Sequence, residues 1–224
     1  MTAAILTIRA VLFDLDGTLM DTAGEIDTAL ARAFGDIGVP RVPRAHVEAL
    51  IGRGVRSLVE RALAGQGARG VDLQDVVERF ERHYAEVVGT EATLFPGVAD
   101  GIERLRAGGR TLAVVTNKPR FFTEKLLAHA GASASFSAVV AGDDGIRRKP
   151  AGDMLEAACA RMGTMPAETL MLGDSDNDIA AARAAGCPVW CVSYGYNEGR
   201  SPETLACDRL VATVDEAARL IVGA

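Results

Sequence analysis

The chain has 224 residues, of which 49% are hydrophobic and 24% charged, and its formal net charge is −6. This length can bury a full core, and the composition is that of a globular protein and not of a disordered one. The acidic balance, without clustered Lys or Arg, argues against a nucleic-acid partner, and no apolar stretch approaches membrane-spanning length.

Cysteine usage and the start of the chain both favour a cytoplasmic protein. The four cysteines have no CxxC spacing, so we expect reduced thiols without zinc or disulfides. Residues 1–10 have no basic segment followed by a long apolar core, and they predict no signal peptide.

The first predicted element is a buried strand that begins at Ala10, because the run to Phe13 is short, apolar and β-prone. Asp14 and Asp16 follow, and two carboxylates at i and i+2 on a strand point the same way. Gly17 then lets the chain leave the sheet. Such a pair can share a divalent cation or act as nucleophile and proton donor. Alternatively, Asp and Thr here merely cap the next helix.

Helical periodicity occupies the region that follows. Apolar residues recur at three- and four-residue steps in three stripes, which begin near Ile26, Val55 and Leu73. Helices with one apolar face must bury it against each other. Because connections inside an α/β unit are usually roughly 2–6 residues long, residues 20–92 are expected to form a small inserted domain.

From Pro96 onward the pattern alternates between strands and helices. The predicted strands cover residues 111–116, 138–141, 169–173, 189–192 and 209–211. The predicted helices cover residues 98–107, 121–130, 154–162, 179–185 and 215–222. This alternation predicts an α/β fold with a Rossmann-like parallel sheet and helices on both faces. Residues 1–19 and 93–224 are expected to form this core domain.

Polar residues follow the predicted strands at their carboxyl ends. Thr116, Asn117 and Lys118 combine a hydroxyl, an amide and a helix start, which suits phosphate, although a simple helix cap with a surface lysine fits equally well. Lys149 could neutralise phosphoryl charge, and Pro150 beside it makes it a better candidate than the preceding arginines, which fit a solvated basic run.

A second acidic cluster begins at Asp174. An EF-hand loop starting there needs Gly at its sixth position and Glu at its twelfth, where the chain has Ile179 and Ala185, so that interpretation fails. If the strands are neighbours, Asp14, Asp16 and Asp174 can hold one octahedral Mg²⁺. Asp178 could support this site or cap a helix, and Asp176 is expected to face solvent.

These motifs resemble, in order and over essentially the whole chain, those of the haloacid dehalogenase-like (HAD) hydrolase superfamily. Within it the likeness is greatest to bacterial phosphoglycolate phosphatases. The motifs are Asp14-x-Asp16-Gly17-Thr18, Thr116, Lys149-Pro150 and Gly173-Asp174-x-x-x-Asp178. By this resemblance, residues 20–92 correspond to the superfamily's helical cap domain. One departure is Gly152, where members often carry a second proline.

The resemblance implies a role for each matched residue. Asp14 is the nucleophile that forms an aspartyl-phosphate, and Asp16 protonates the leaving alcohol and then activates water. Thr116 binds the phosphoryl oxygens, and Lys149 stabilises their charge. Asp14, the backbone carbonyl of Asp16, and Asp174 bind the Mg²⁺ cofactor, and Asp178 supports Lys149 or the waters on the metal. The expected substrate-binding residues are Gly17, Thr18, Asn117, Lys118 and Arg53.

The expected activity is Mg²⁺-dependent hydrolysis of 2-phosphoglycolate to glycolate and phosphate. Arg53, between two glycines before a predicted helix, could bind the substrate carboxylate, or it could be an exposed arginine in a tight turn. The expected partner is thus a small phosphorylated metabolite, without nucleic acid or membrane, and the chain is expected to be a monomer or homodimer.

The same motifs could serve another small phosphate ester, including a sugar phosphate, or a β-phosphoglucomutase-like transfer. A true haloacid dehalogenase is disfavoured because, by resemblance, those enzymes lack an acid at the place of Asp16. A phospho-accepting receiver-type switch is a further alternative, which Asp16 and the inserted cap both disfavour.

Overall fold

The computed structural model describes residues 8–223, so most of the segment on which the signal-peptide prediction rests lies outside the described residues. The described strands are β1 (Ala10–Phe13), β2 (Met20–Asp21), β3 (Thr93–Leu94), β4 (Thr111–Val115), β5 (Ala138–Val140), β6 (Thr169–Gly173), β7 (Val189–Val192) and β8 (Arg209–Val211). The described α-helices are α1 (Ala23–Gly35), α2 (Arg44–Val47), α3 (Val55–Gly65), α4 (Leu73–Val87), α5 (Val98–Ala107), α6 (Arg120–His129), α7 (Asp153–Met162), α8 (Asp176–Ala185) and α9 (Val214–Val222).

A parallel sheet with the strand order β5-β4-β1-β6-β7-β8 forms the centre of the protein. The first strand lies between β4 and β6, with Phe13 opposite Val114 on one side and Leu172 on the other. The carboxyl ends of these three strands therefore meet, as they do at the ligand crevice of open α/β sheets. The predicted α/β fold with a Rossmann-like sheet is confirmed.

Both faces of the central strands β1, β4 and β6 are buried, which explains why these strands are nearly continuous apolar runs. Val11 and Phe13 of β1 point into the core cluster shared with α5, α6 and α9. Leu12 points the other way, into a second cluster shared with α7 and α8. Two buried faces hold the central strands firmly, so the residues that follow them are well positioned.

The three predicted helical stripes lie in α1, α3 and α4, between the first two strands and the return of the chain at β3. Their buried side chains, among them Leu30, Leu58 and Phe80, belong to the cluster that also covers one face of the sheet. The division into a core domain and a cap domain (residues 20–92) stays a prediction. Within residues 8–223, none of the helices combines the length and apolar character needed to cross a bilayer.

The two chain crossings between the sheet and the helical segment are tied together by contacts that the sequence does not predict. Strands β2 and β3 pair antiparallel, with Met20 opposite Leu94. Beside them, Oε1 of the buried Glu25 accepts hydrogen bonds from the backbone N–H groups of Glu91 (2.8 Å) and Ala92 (3.0 Å). The start of α1 and the end of the helical segment are therefore held side by side.

Candidate active site

Asp14 and Lys149 form the centre of the site. Asp14 follows β1, and its Oδ1 accepts a hydrogen bond of 2.8 Å from Lys149 Nζ. The same ammonium donates to Asp178 Oδ1 at 2.7 Å, and its side chain is 1% exposed. Burial alone lowers the pKa of Lys149, but the charges of Asp14 and Asp178 outweigh it, so the pKa is raised and the ammonium persists.

At Asp14, in contrast, the effect of burial on the pKa outweighs that of the neighbouring positive charge. Burial raises the pKa of Asp14 to about 7, although the Lys149 ammonium acts to lower it. The neighbouring Asp178 charge adds to the increase. An adjacent cation favours the ionised form of a carboxyl group. The local electrostatics therefore favour a positively charged ligand beside Asp14.

Asp174 faces Asp14 from the end of β6. Its Oδ2 accepts hydrogen bonds from the backbone N–H groups of Tyr196 (2.8 Å) and Asn197 (3.4 Å), and Thr18 Oγ1 donates to its Oδ1 at 3.2 Å. Burial, together with the charges of Asp178 and Asp14, raises the pKa of Asp174 well above its ordinary value. Its carboxylate is thus fixed in position and destabilised by like charge.

Asp14, Asp174 and Asp178 offer carboxylate oxygens that all lie within 4.8 Å of one another. Hard oxygen donors at this spacing are the ligands that Mg²⁺ prefers. Gly17 has φ of +86° and leaves no room for a side chain, since an added Cβ would lie 3.0 Å from Asp174 Cγ. The residues present therefore fit a small, hard divalent cation. The carboxylate of Asp16 is not part of this cluster.

Asp16 lines the same pocket as Asp14 and is held by two hydrogen-bond donors. Its Oδ1 accepts hydrogen bonds from Thr22 Oγ1 (2.6 Å) and Lys118 Nζ (2.7 Å). Lys118 is buried and does not lie on the surface, contrary to the helix-cap interpretation of its motif. Burial opposes the charge of Lys118, but Asp16 more than compensates, so the pKa of Lys118 is raised.

The residues after β4 line the pocket beside these acids. Thr116 Oγ1 accepts a hydrogen bond from the backbone N–H of Lys118 at 3.2 Å. Asn117 Nδ2 donates to the carbonyls of Gly52 (3.0 Å) and Lys149 (2.9 Å). Asn117 thus joins the helical segment to the loop that carries Lys149.

Asp178 is fully buried and acts from behind the site. Its Oδ1 binds Lys149, while its Oδ2 accepts from the backbone N–H and Oγ of Ser175 and from the backbone N–H of Asp174. The carboxylate thereby caps α8 and positions Lys149 together. Asp176 is about half exposed and pairs with Arg200 at 2.5 Å.

Arg53 lies outside the pocket that contains Asp14 and Asp16, and it lines a second pocket together with Lys149 and Asp176. Its guanidinium pairs with both carboxylate oxygens of Glu198, through Nε at 2.5 Å and Nη2 at 2.8 Å, and its side chain is 50% exposed. It joins the helical segment to the loop after β7 and does not line the pocket that contains Asp14 and Asp16. A substrate contact by Arg53 stays a prediction.

The helical segment forms one wall of the pocket that contains Asp14 and Asp16. Its lining on the sheet side is Asp14, Asp16, Thr116, Asn117 and Lys118, and on the helical side Ile26, Ile51, Gly52, Gly54, Val55, Leu58, Phe80 and Tyr84. Sequence reasoning missed Tyr84, Thr22 and Tyr196 as contributors to the site. Only the stripe that contains Tyr84 gave a signal, and that signal indicated a core position.

Both the sequence and the fold of the chain match those of known proteins. A family model described as haloacid dehalogenase-like hydrolase matches residues 8–186. The phosphoglycolate phosphatase of Nitrosospira multiformis is 42% identical over 220 residues, covering 96% of each chain. A plasmid-borne phosphoglycolate phosphatase of Cupriavidus necator is 43% identical over 225 residues, covering 100% of this chain and 97% of the other. A crystal structure from Haemophilus somnus, described as a predicted phosphoglycolate phosphatase, superimposes with a TM-score of 0.89 at 28% identity, covering 97% of this chain and 99% of the other.

Proposed function

The chain belongs to the haloacid dehalogenase-like hydrolase family, and within that family we propose that its substrate is 2-phosphoglycolate, which it hydrolyses to glycolate and phosphate. The protein is a phosphoric monoester hydrolase. The observation that carries the substrate proposal is the likeness to phosphoglycolate phosphatases at 42% and 43% identity over nearly the full chain.

Asp14 is the proposed nucleophile. One of its carboxylate oxygens attacks phosphorus, a new O–P bond forms, and the P–O bond to the alcohol breaks to leave an aspartyl-phosphate. Lys149, at 2.8 Å from Asp14 Oδ1, supports this role because its ammonium can balance charge on the transferring phosphoryl oxygens. Thr116 and the backbone at Asn117 would bind those oxygens, with Gly17 and Thr18 beside them.

Asp16 is the proposed acid and base. It gives its proton to the departing glycolate oxygen and later takes one from the water that attacks the aspartyl-phosphate, which regenerates Asp14 and releases phosphate. Two donors at 2.6 and 2.7 Å support this assignment, because they fix the orientation of the carboxyl group. Splitting the hydrolysis in this way replaces one difficult attack with two easier ones.

Mg²⁺ is the proposed cofactor, held by Asp14 and Asp174 with the backbone carbonyl of Asp16, and supported by Asp178. When bound, the cation would reduce the repulsion between the Asp14 carboxylate and the phosphate. The cluster of buried oxygens within 4.8 Å supports this proposal.

The helical segment, residues 20–92, is the proposed cap domain over a core of residues 1–19 and 93–224. It would exclude water and contact the part of the substrate that is not phosphate. The apolar side chains that roof the pocket support this role. Cytoplasmic location and a monomeric or homodimeric state stay predictions.

The proposed activity is tested by measuring phosphate release from a panel of small monoesters, with Mg²⁺ and with chelator. We expect the highest kcat/KM for 2-phosphoglycolate, and loss of activity with chelator that Mg²⁺ restores. A higher kcat/KM for a sugar phosphate would overturn the substrate, and full activity after chelation would overturn the cofactor.

A further inference from the structure

The roof of the active-site pocket is apolar apart from one side chain. Ile26, Leu58 and Phe80 are hydrocarbon surfaces, and they cannot donate hydrogen bonds to a substrate. Tyr84 is the exception, since it lines the same pocket and its side chain carries a phenol hydroxyl. The side chains of this roof can therefore select the leaving group in two ways only: through Tyr84, or through the shape of the apolar surface.

The Tyr84 hydroxyl donates no hydrogen bond among residues 8–223, although the residue is only 1% exposed, and the nearby charged group, the Lys118 ammonium, is itself only a donor. A buried polar group left without a partner is costly, and such groups are usually satisfied. The ring cannot readily turn away, because it stacks on Phe80 (centroids 5.6 Å apart) and packs against Phe122 (4.7 Å). A hydroxyl proton that is held rigidly in the pocket wall without an acceptor points to a ligand that accepts a hydrogen bond there.

Lys118 defines the charge of that ligand. Its Nζ lies 4.8 Å from the centre of the Tyr84 ring and 2.7 Å from Asp16 Oδ1. Among the described residues that line the pocket, Lys118 is the one with a cationic side chain. A hydroxyl donor beside an ammonium is suited to an anion, and both lie next to the acid that we propose protonates the leaving oxygen.

We propose that Tyr84 determines specificity by donating its hydroxyl hydrogen bond to the carboxylate of the leaving group, with Lys118 balancing the charge. This inference rests on the proposed function, since it assigns the recognition of a carboxylic phosphate ester to named residues. In 2-phosphoglycolate a single carbon separates the carboxylate from the ester oxygen, so a carboxylate subsite must adjoin Asp16. Tyr84 and Lys118 meet that requirement.

The apolar roof has a complementary effect. The hydroxyl groups of a bound sugar phosphate would face Ile26, Leu58 and Phe80 and would lose hydrogen bonds to water without replacement. A short leaving group with one terminal anion has no further hydroxyl groups to place against these residues. Burial raises the pKa of Tyr84 to about 12, so the phenol keeps its proton at neutral pH and remains a donor.

The test compares Tyr84→Phe with the unchanged protein, using 2-phosphoglycolate and ethyl phosphate, which has the same two-carbon skeleton without the carboxylate. Because a hydrogen bond to a charged group is lost, kcat/KM for 2-phosphoglycolate should fall about 10-fold or more, mainly through KM. The value for ethyl phosphate should change less than about 2-fold, since that ester makes no such bond. Competitive inhibition by inorganic phosphate should be unchanged, because phosphate binds at the other end of the pocket.

Arg53→Ala is the comparison variant, since Arg53 is the competing candidate for the contact to the carboxylate. Its guanidinium pairs with Glu198, so any loss should be equal for the two esters. Equal losses for both esters in Tyr84→Phe, or discrimination by Arg53→Ala alone, would overturn the inference and leave the proposed function intact. An unchanged protein that does not prefer 2-phosphoglycolate over ethyl phosphate would overturn the proposed substrate, and the inference with it.

Discussion

Replacing Tyr196 with phenylalanine should destabilise the protein by disturbing the start of α1. The Tyr196 hydroxyl accepts hydrogen bonds from the backbone N–H groups of Thr22 (2.8 Å) and Ala23 (3.1 Å), and it donates to Asp21 Oδ1 (2.8 Å). The Thr22 side chain makes no cap hydrogen bond to the helix, and its hydroxyl donates to Asp16 instead. A side chain distant in sequence thus does the work of a helix cap.

The size of the effect follows from what the substitution leaves behind. The Thr22 N–H loses its acceptor at a buried position, whereas the Ala23 N–H keeps a longer contact of 3.3 Å to Asp21 Oδ1. One orphaned buried donor and one lost bond to a carboxylate should together cost about 2 kcal/mol in the free energy of unfolding. The ring remains, so the apolar packing is preserved.

Urea unfolding followed by circular dichroism measures this difference, with Tyr194→Phe as the control. Within residues 8–223 the Tyr194 hydroxyl makes one hydrogen bond, to the Thr18 carbonyl at 2.6 Å, so its loss should cost about 1 kcal/mol. At a slope of roughly 2–3 kcal/mol per M urea, Tyr196→Phe should lower the midpoint by about 0.7–1 M. A shift no larger than that of Tyr194→Phe would refute the capping role.

Two further substitutions test the roles of the Lys149 ammonium and of the ion pair between Asp208 and Arg183. Lys149→Met should lower kcat by about 100-fold or more, because a buried ammonium no longer balances phosphoryl charge; a steady-state kcat within threefold of the unchanged protein would contradict its role. Asp208→Asn should lower the free energy of unfolding by about 1 kcal/mol at pH 7 and by less at pH 3. The hydrogen bond from Arg183 lowers the pKa of Asp208, so its stabilisation is present above the ordinary Asp value and is lost as the pH falls. Equal losses at both pH values would exclude this linkage.

Much of the sheet follows from sequence patterning alone. The strands Thr169–Gly173, Val189–Val192 and Arg209–Val211 have the predicted bounds, as does the helix Val98–Ala107. Strand β6 is wholly buried and the helix Val98–Ala107 buries one face, so their apolar pattern carries the information, whereas β8 buries only Val211. Strands β2 and β3 were not predicted, because two-residue strands have no periodicity to detect. The polar residues at the ends of β1, β4 and β6 meet as expected because adjacent parallel strands share an edge.

What the sequence could not reveal depends on contacts between distant residues. Lys118 fitted a surface position as well as a site position, and only its bond to Asp16 distinguishes the two. Tyr84 continues a helical apolar stripe, so its pattern indicates core, whereas its unpaired hydroxyl becomes visible only in the folded pocket. Arg53 fitted a carboxylate ligand by local sequence, but Glu198 lies within its reach in the structure. Side chains of this kind are assigned by their partners.

The central claim is that Asp14 carries the phosphoryl group during hydrolysis, and trapping that group tests it most directly. In Asp16→Asn the aspartyl-phosphate should form slowly and break down more slowly still, since the base that activates water is missing. After incubation with 2-phosphoglycolate and Mg²⁺ and an acid quench, peptide mass spectrometry should find one phosphoryl group on Asp14. An unmodified Asp14 in a variant that still releases glycolate in a single turnover would contradict the account.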